Sequence, residues 1–457
     1  MRWSVYAFTL LLLAWSCGMD TTDTATAEAL PDTVTYAAHV APILWSNCMP
    51  CHRPGHAGPF PLITYRDAQR KAQMIKLATG KGYMPPWPAD TSYRRFLGER
   101  ALTRHEIALL ARWADQGALP GDTSLLPPPP DLPEDPLLGE PDHVVWLPDS
   151  FHIPGDARDR FMIAKAPFQL ERDTFLRAVA FVPGNRQLVH HMNAALINYP
   201  RGKKQDVFAG ARYLNAEEIH GPEAFAALQL TNDDGSWPPL VPSVVNHLPG
   251  LDPLVLPDGL GGLHLKREGA FLLNTLHYGP STRDTTDRSR FLLWFAPGPP
   301  ERPLQELSLG STHTPIDPPL HLEPGEVRSF HTQLTLRKPI SVVTVNPHMH
   351  LLGKSFVAYA VTPARDTVPL VRIPEWDFKW QYAYTLPYLL PLPSGTTIHV
   401  VGIFDNTADN PHQPFRPPRA ITGTDSRFMR TTDEMLQFFV TYVDQRPGDE
   451  KISLFTK

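Results

Sequence analysis

The sequence predicts a multidomain protein in which a small all-α region is followed by two all-β antiparallel units. Three observations support this fold class. Helix-capping patterns lie before about residue 119, a proline-rich stretch follows them, and short apolar runs separated by Pro, Gly and Asp fill the rest. At 457 residues, with 42% hydrophobic and 19% charged residues, the chain can form two or three globular domains with separate cores.

Residues 1–17 are predicted to be an export signal of the lipoprotein type, followed by a tether over residues 18–31. The segment has one basic residue, Arg2, then a mostly apolar run that ends at Ser16-Cys17-Gly18. The Cys after a small residue resembles the bacterial lipoprotein cleavage site, which predicts a lipid anchor on Cys17. We therefore expect an exported, membrane-anchored protein of the bacterial cell envelope or periplasm. The alternative is an ordinary signal peptide with an incidental Cys.

Charge and cysteine content exclude some classes of function. The formal net charge is -5 and no long Lys/Arg run occurs, so nucleic acid is not an expected partner. The chain has three cysteines, Cys17, Cys48 and Cys51. If Cys17 is lipidated and the other two hold a cofactor, no disulfide can form. A blue-copper centre, which needs a Cys ligand, is then excluded outside the Cys48–Cys51 segment.

Residues 32–119 are predicted to form a small bundle of short helices. Thr64 and Asp67 begin one helix, which Gly80 ends, and the capping box Thr103–Glu106 begins another, which Gly117 ends. Residues 120–142 contain many prolines and should form an extended, semi-rigid linker.

The segment Cys48-Met49-Pro50-Cys51-His52 is the attachment sequence of a c-type haem. Two thioethers to Cys48 and Cys51 would hold one haem c covalently, and His52 would be an axial ligand of the iron. For the sixth ligand we favour Met84, because the prolines after it fix an extended loop. Met74 is the competitor, although it lies within a helix, where a Met usually fills the core. His/Met ligation suits electron transfer.

From His143 onward the pattern predicts antiparallel sandwiches or barrels. The break at Pro297-Gly298-Pro299-Pro300 divides this part into two β domains, residues 143–299 and 300–457. The clearest strand-like runs are Leu176–Val182, Phe271–His277, Phe291–Phe295, Ser341–Val345, Phe356–Val361, Thr397–Phe404 and Met435–Val443.

Histidines and one methionine in this β region are candidate metal ligands. His190 and His191 would point to opposite faces of a regular strand, so both can reach one metal only at a strand end or an irregular turn. His348 and His350 have the i, i+2 spacing that puts two side chains on one strand face. His277 ends one apolar run and Met435 opens another. Taken singly, these could equally be partly exposed histidines and a core methionine.

Together the motifs resemble the copper type II, ascorbate-dependent monooxygenase family. They are His190-His191-Met192, Leu276-His277-Tyr278-Gly279, His348-Met349-His350-Leu351-Leu352-Gly353-Lys354 and Asp433-Glu434-Met435, in the family's order. The resemblance covers the C-terminal two-thirds of the chain and implies two jelly-roll-like sandwiches. The helical region resembles the cytochrome c modules fused to bacterial relatives, particularly through Met84-Pro85-Pro86-Trp87.

The resemblance implies two copper ions that face each other across a solvent-filled cleft. An electron-storing copper would be bound by His190, His191 and His277. The copper that binds dioxygen would be held by the remaining motif residues, His348, His350 and Met435. Imidazole and thioether ligands suit these roles, because a thioether beside two imidazoles favours Cu(I).

The implied activity is hydroxylation of a C–H bond with O2, with electrons relayed from the haem to the three-histidine copper and then to the second copper. The electron donor would be an ascorbate-like reductant or an envelope redox protein. Family members that act on peptides have an Arg two residues before the first His of His-x-His, and an Asn and a Tyr after the Met. This chain has Asn346, Gln437 and Phe439 there, so peptide amidation is not expected and the substrate, a small molecule or a peptide, is not identified. The alternatives are a non-catalytic copper–haem electron carrier or copper-handling protein, and a structural adhesin.

Overall fold

The computed structural model describes residues 29–132, 138–219, 221–251, 253–257, 259–311, 313–423 and 430–455. The predicted signal peptide with Cys17, and most of the predicted tether, lie outside these residues. Within them the chain is mainly β and forms antiparallel two-sheet sandwiches with a few helices, which confirms the all-β part of the predicted fold class. None of the described helices is long and apolar enough to span a membrane.

Both predicted helix starts are confirmed, and each is a capping box. The Thr64 hydroxyl accepts a hydrogen bond from Asp67 N at 3.2 Å, and the Asp67 carboxylate accepts one from Thr64 N at 3.0 Å. Thr103 and Glu106 repeat the arrangement at 3.1 and 2.7 Å. Because each box satisfies backbone N–H groups that a helix leaves unpaired, it fixes where that helix begins. The helices are a π-helical turn (Tyr36–Val40) that runs into α1 (Ala41–Asn47), then α2 (Tyr65–Gly80) and α3 (Arg104–Asp115).

These helices pack around an apolar core of their own, with Leu44, Leu110 and Trp113 fully buried. One segment of the region behaves differently. Residues 85–100, which we call the arm, extend away and pack against the C-terminal sandwich. Phe96 and Ala89 belong to the core of that sandwich. Part of residues 32–119 thus packs against the second sandwich.

The first sandwich is formed by residues 143–295. Its strands are β1 (His143–Trp146), β2 (Phe151–Ile153), β3 (Arg160–Gln169), β4 (Thr174–Val182), β5 (Val189–Asn198), β6 (Tyr213–Asn215), β7 (Leu240–His247), β8 (Leu263–Leu265), β9 (Glu268–Tyr278), β10 (Thr285–Asp287) and β11 (Arg290–Phe295), with helix α4 (Gly221–Ala227) before β7. One sheet has the order β1-β11-β4-β8 and the other the order β6-β3-β9-β5-β7, while β2 pairs with β10. Apolar side chains of the two larger sheets, such as Phe271 and Phe291, meet in the core.

The second sandwich is formed by residues 305–444. Its strands are β12 (Gln305–Gly310), β13 (Ile316–Asp317), β14 (His321–Leu322), β15 (Val327–Thr335), β16 (Ile340–His348), β17 (Gly353–Val361), β18 (Thr367–Ile373), β19 (Tyr384–Leu392), β20 (Thr397–Asp405), β21 (Ile421–Thr422) and β22 (Gln437–Asp444). The sheets have the orders β12-β22-β16-β19 and β13-β15-β20-β17-β18, and β14 pairs with β21.

Six of the predicted strand-like runs lie within observed strands and the seventh, Met435–Val443, overlaps β22, but two details of the prediction were wrong. Met435 does not open a strand, since it precedes β22. His350 does not share a strand face with His348, because β16 ends at His348 and His350 lies just before a turn.

Candidate metal centres

A β-bulge explains how adjacent histidines reach one place. Where β5 pairs with β9, Val189 lies opposite Tyr278 and His191 lies opposite His277, so His190 is an extra residue on β5. A bulge interrupts the alternation of side chains across a strand. Both imidazoles therefore turn toward His277, whose ring centroid lies 5.0 Å from that of His190 and 4.8 Å from that of His191. An irregularity of this kind is what adjacent histidines on a strand need if both are to reach one metal.

The ring nitrogens of this cluster are arranged as metal ligands. His277 Nε2 lies 2.7 Å from Asp159 Oδ1, and its Nδ1 lies 3.3 Å from His191 Nδ1. A carboxylate accepts the Nε2 proton, which leaves Nδ1 with its lone pair facing the cluster. Asp159, His190 and His277 also have possible ligand atoms within 4.8 Å of one another. Phe161 stacks on the His277 ring with centroids 4.4 Å apart and fixes its plane.

Burial keeps these histidines neutral, which is the form that binds a metal. It lowers the pKa of His277 to about 4 and the pKa of His191 well below its ordinary 6.5. His191 Nε2 is buried without a hydrogen-bond partner. Because buried polar atoms are normally paired, an orphaned imidazole nitrogen within a histidine cluster fits a site that a metal ion completes.

Asp159 was missed by the sequence reasoning. It lies in the loop before β3 and has no regular spacing to any of the histidines. It reaches the cluster because β3 pairs with β9, with Phe161 opposite His277. Only the strand pairing carries this information, and no local sequence signal does.

A second cluster forms where β16 ends. His348 Nδ1 lies 2.5 Å from Gln381 Oε1, and His350 Nδ1 lies 2.7 Å from the carbonyl of Asp433. The Gln381 amide nitrogen donates to Phe378 O at 2.9 Å, which directs its oxygen toward His348. Both histidines therefore donate through Nδ1 and keep the Nε2 lone pair. Burial lowers their pKa values, to about 4 for His348 and about 3 for His350, so both are neutral.

The side chain of Glu434 ties the Met435 segment to this cluster. Glu434 is buried, and its carboxyl oxygens accept the backbone N–H of His350 at 3.1 Å and of Leu352 at 2.6 Å. Burial raises its pKa to about 8. Met435, the next residue, is itself buried. The structure thus places the segment that contains Met435 beside His350, close to the end of β16.

One aromatic ring contacts both clusters. Phe378, only 7% exposed, has its centroid 6.1 Å from that of His191 and 5.7 Å from that of His350. Close by, Asn346 Nδ2 donates to Ser243 Oγ at 2.9 Å across the sandwich interface. An apolar side chain thus contacts a histidine of each cluster, and the solvent-filled cleft stays a prediction.

The predicted haem-binding residues lie where the helical region meets the first sandwich. His52 Nδ1 donates to Phe60 O at 3.0 Å, so Nε2 keeps its lone pair, as an axial iron ligand requires. Cys48 is buried and Cys51 half-buried. Gly58 packs so tightly that a Cβ there would lie 2.8 Å from Cys51 O. These residues fit a covalently attached haem.

The two candidate sixth ligands, Met84 and Met74, are both exposed side chains. Met84 precedes the arm and is 38% exposed, whereas Met74 is 51% exposed on α2. The interpretation of Met74 as a core side chain is therefore wrong. Met84 stays the predicted ligand because it belongs to the Pro-Pro-Trp loop that leads into the arm.

Comparison with known proteins gives no family assignment. No protein-family model matches the chain, and no curated protein matches it. A chain in the structure of infectious bursal disease virus Gt strain aligns with 10% identity and a TM-score of 0.14, covering 68% of this chain and 83% of that one. A TM-score this low carries no argument about fold or function.

Proposed function

We propose that this protein is a copper-dependent monooxygenase that hydroxylates a C–H bond of its substrate with O2. The observation that carries the proposal is the pair of largely shielded histidine clusters that both contact Phe378. One would hold copper through His190, His191 and His277. The other would hold copper through His348, His350 and Met435. All these donors are imidazole or thioether, which suits copper that cycles between Cu(I) and Cu(II).

The bound coppers would supply one-electron storage at the first cluster and O2 activation at the second. The chain's own residues do the rest. Asp159 holds the His277 tautomer, and Gln381 and the Asp433 carbonyl hold those of His348 and His350. Phe378, which is buried and contacts a histidine of each cluster, would shield both centres from water and so protect reactive species from side reactions.

We further propose that the helical region is a cytochrome c module with one haem c on Cys48, Cys51 and His52 and with Met84 as sixth ligand. It would pass electrons from an ascorbate-like reductant or an envelope redox protein to the coppers. A lipid on Cys17 would hold the protein at the bacterial envelope membrane. The two sandwiches would then be the jelly-roll-like domains that the family resemblance implies.

Substrate binding should differ from that of the peptide-acting family members. The amide nitrogen of Asn346 is bonded to Ser243, and that of Gln437 donates to Ser311 O at 3.2 Å. Without an Arg, neither position offers a charged, bidentate anchor for a carboxylate. The substrate class is therefore expected to lack a terminal carboxylate as its main recognition element.

Metal analysis of the purified, copper-loaded protein tests the proposal. We expect two coppers and one haem per chain, and a Cu(II) spectrum without the intense blue colour of a thiolate site. The double variant His348→Ala/His350→Ala should keep one copper and the haem. A wild type that binds one copper or none contradicts the two-copper proposal. Two coppers without any O2-dependent hydroxylation would favour the copper–haem electron carrier.

A further inference from the structure

A cavity of about 980 Å³ lies where the helical region and the two sandwiches meet. Each of the three parts contributes to its lining, for example through Arg53 in the helical region, Phe181 on β4 and Glu306 on β12. Of the proposed haem-binding residues Cys51 alone lines the cavity, and none of the proposed copper ligands does. The cavity is therefore distinct from both copper centres and lies beside the haem motif, not at it.

Most of the cavity wall is apolar. Strands β4 and β7 and the loop that follows β7 supply much of it, including Val179, Phe181, Val244, Leu254 and Leu256. Ligand sites in proteins usually have volumes of about 300–1,000 Å³, largely apolar walls and a few polar groups that fix the ligand, and they often lie between domains. The size, the walls and the position of this cavity all fit a site for a small organic molecule.

Arg100 at the end of the arm places a positive charge in the cavity wall. Its Nη2 donates to the Gly250 carbonyl, which fixes the guanidinium group, while Nη1 is buried without a hydrogen-bond partner. A guanidinium group stays charged in proteins, and a carboxylate is the anion that best matches its donors. Four arginines and two acidic residues line the cavity, so its overall charge also favours an anion.

Glu306 supplies a second polar group in the same lining. Its Oε1 is buried and, like Arg100 Nη1, has no hydrogen-bond partner. Burial raises the pKa of Glu306 to about 7, so below that pH the carboxyl group is mainly neutral. A neutral carboxyl group does not repel an anionic ligand and can donate a hydrogen bond to it.

We propose that this cavity binds an amphiphilic carboxylic acid, with its carboxylate on Arg100 and its apolar chain along the walls formed by β4 and β7. The charged head and the apolar body match the two kinds of surface that line the cavity. The ligand is not the substrate of the copper centres, because none of their ligands lines the cavity. The inference therefore does not rest on the proposed function.

Binding of octanoate to the purified full-length chain tests the proposal. Calorimetric titration should show one saturable site, and binding should raise the temperature of thermal unfolding because the ligand binds the folded chain. Octan-1-ol keeps the apolar chain without the charge, and acetate keeps the charge without the chain. Each should bind about tenfold more weakly than octanoate or worse. Equal binding of octanoate and octan-1-ol would overturn the proposal.

Two variants with matched controls locate the site. Arg100→Leu should weaken octanoate binding about tenfold or more. Arg95→Leu should not, since Arg95 lies in the same arm, pairs with Glu99 at 2.9 Å and does not line the cavity. Val244→Trp should abolish binding by filling the cavity. Val327→Trp, at a valine that is 49% exposed and outside the lining, should bind octanoate like the wild type.

Val244→Trp decides the location if Arg100→Leu does not fold, because it leaves the hydrogen bond between Arg100 and Gly250 in place. The comparison of octanoate with octan-1-ol needs no variant at all. Unchanged octanoate affinity in a folded Val244→Trp protein would overturn the proposal, and so would equal losses in the two tryptophan variants. Copper content and turnover enter none of these measurements. Failure here is thus distinguishable from failure of the proposed function.

Discussion

The Asp159 carboxylate accepts a hydrogen bond from Nε2 of His277, and Nδ1 of the same ring faces the histidine cluster. Partners of this kind orient a metal-binding imidazole and raise its basicity, and their loss costs about 10–100-fold in metal affinity. We therefore expect Asp159→Asn to weaken copper binding at the three-histidine centre by that factor and to leave the second centre unchanged. Titration of the apoprotein with Cu(I) in the presence of a competing chelator measures this.

The matched control for this variant is Asp156→Asn in the same loop. Asp156 pairs with Arg160 at 2.7 Å and does not touch the histidines. Equal weakening by both substitutions would mean that the loop, and not the carboxylate on His277, supports the centre.

A variant at Met435 tests the proposed O2-binding centre separately from the supply of electrons. Its loss should remove the thioether from the centre proposed to bind O2, while all three histidines of the other centre stay in place. Met435→Ile should therefore lose product formation even with excess ascorbate, and the haem and the three-histidine copper should still be reduced. Cys48→Ala/Cys51→Ala should lose the haem but keep ascorbate-driven turnover. The same loss of turnover in both variants would argue against separate roles.

At the scale of single elements, β12 carries a half-buried acid whose ionisation opposes folding. Burial raises the pKa of Glu306 to about 7, and Glu306 Oε1 has no hydrogen-bond partner. The folded protein holds this proton up to about pH 7, whereas the unfolded chain releases it near the ordinary value of 4.5. Stability from this group is thus complete below the unfolded pKa and is lost as the pH rises through the folded pKa.

Glu306→Gln should remove this part of the pH dependence. The wild type is expected to lose free energy of unfolding relative to the variant between about pH 4.5 and pH 7. Denaturant titrations at several pH values within that window, on both proteins, provide the comparison. If the free energy of unfolding changed with pH in the same way in both proteins, folding would not raise the pKa of Glu306.

The arm is held by its aromatic side chain as well as by its backbone. Phe96 is 5% exposed and lies 4.8 Å, centroid to centroid, from Tyr384 of β19. Removing a buried aromatic ring costs about 3–5 kcal/mol. We expect Phe96→Ala to destabilise the second sandwich by about this amount. Phe455→Ala, which truncates a ring that is 63% exposed, should have little effect in the same thermal unfolding experiment.

At the scale of the whole molecule, local chemistry made much of the fold predictable. The Thr64–Asp67 and Thr103–Glu106 boxes are complete within four residues, so they could be predicted from sequence. Alternating apolar runs likewise marked the strands. The bulge at His190 was required by the proposed chemistry, but its existence depends on how β5 pairs with β9, which lies about eighty residues away along the chain.

Other features depend on contacts that no local pattern encodes. The carboxylate of Asp159 and the amide of Gln381 reach the histidines only after the sandwiches have formed. The arm was assigned to the helical bundle because it follows the haem motif in sequence. It packs elsewhere because Phe96 finds its apolar neighbours on the second sandwich.

The arm also changes what the proline-rich segment after residue 119 does. A module on a flexible linker meets its partner by diffusion, at an effective concentration set by the length of the linker. Here Leu97 N donates to Thr385 O on one sandwich, while Cys51 touches Pro249 on the other. The helical region is thus held at two points whose contacts do not depend on the linker of residues 120–142. The proposed electron transfer within the chain should then be insensitive to solvent viscosity and to the length of residues 120–142.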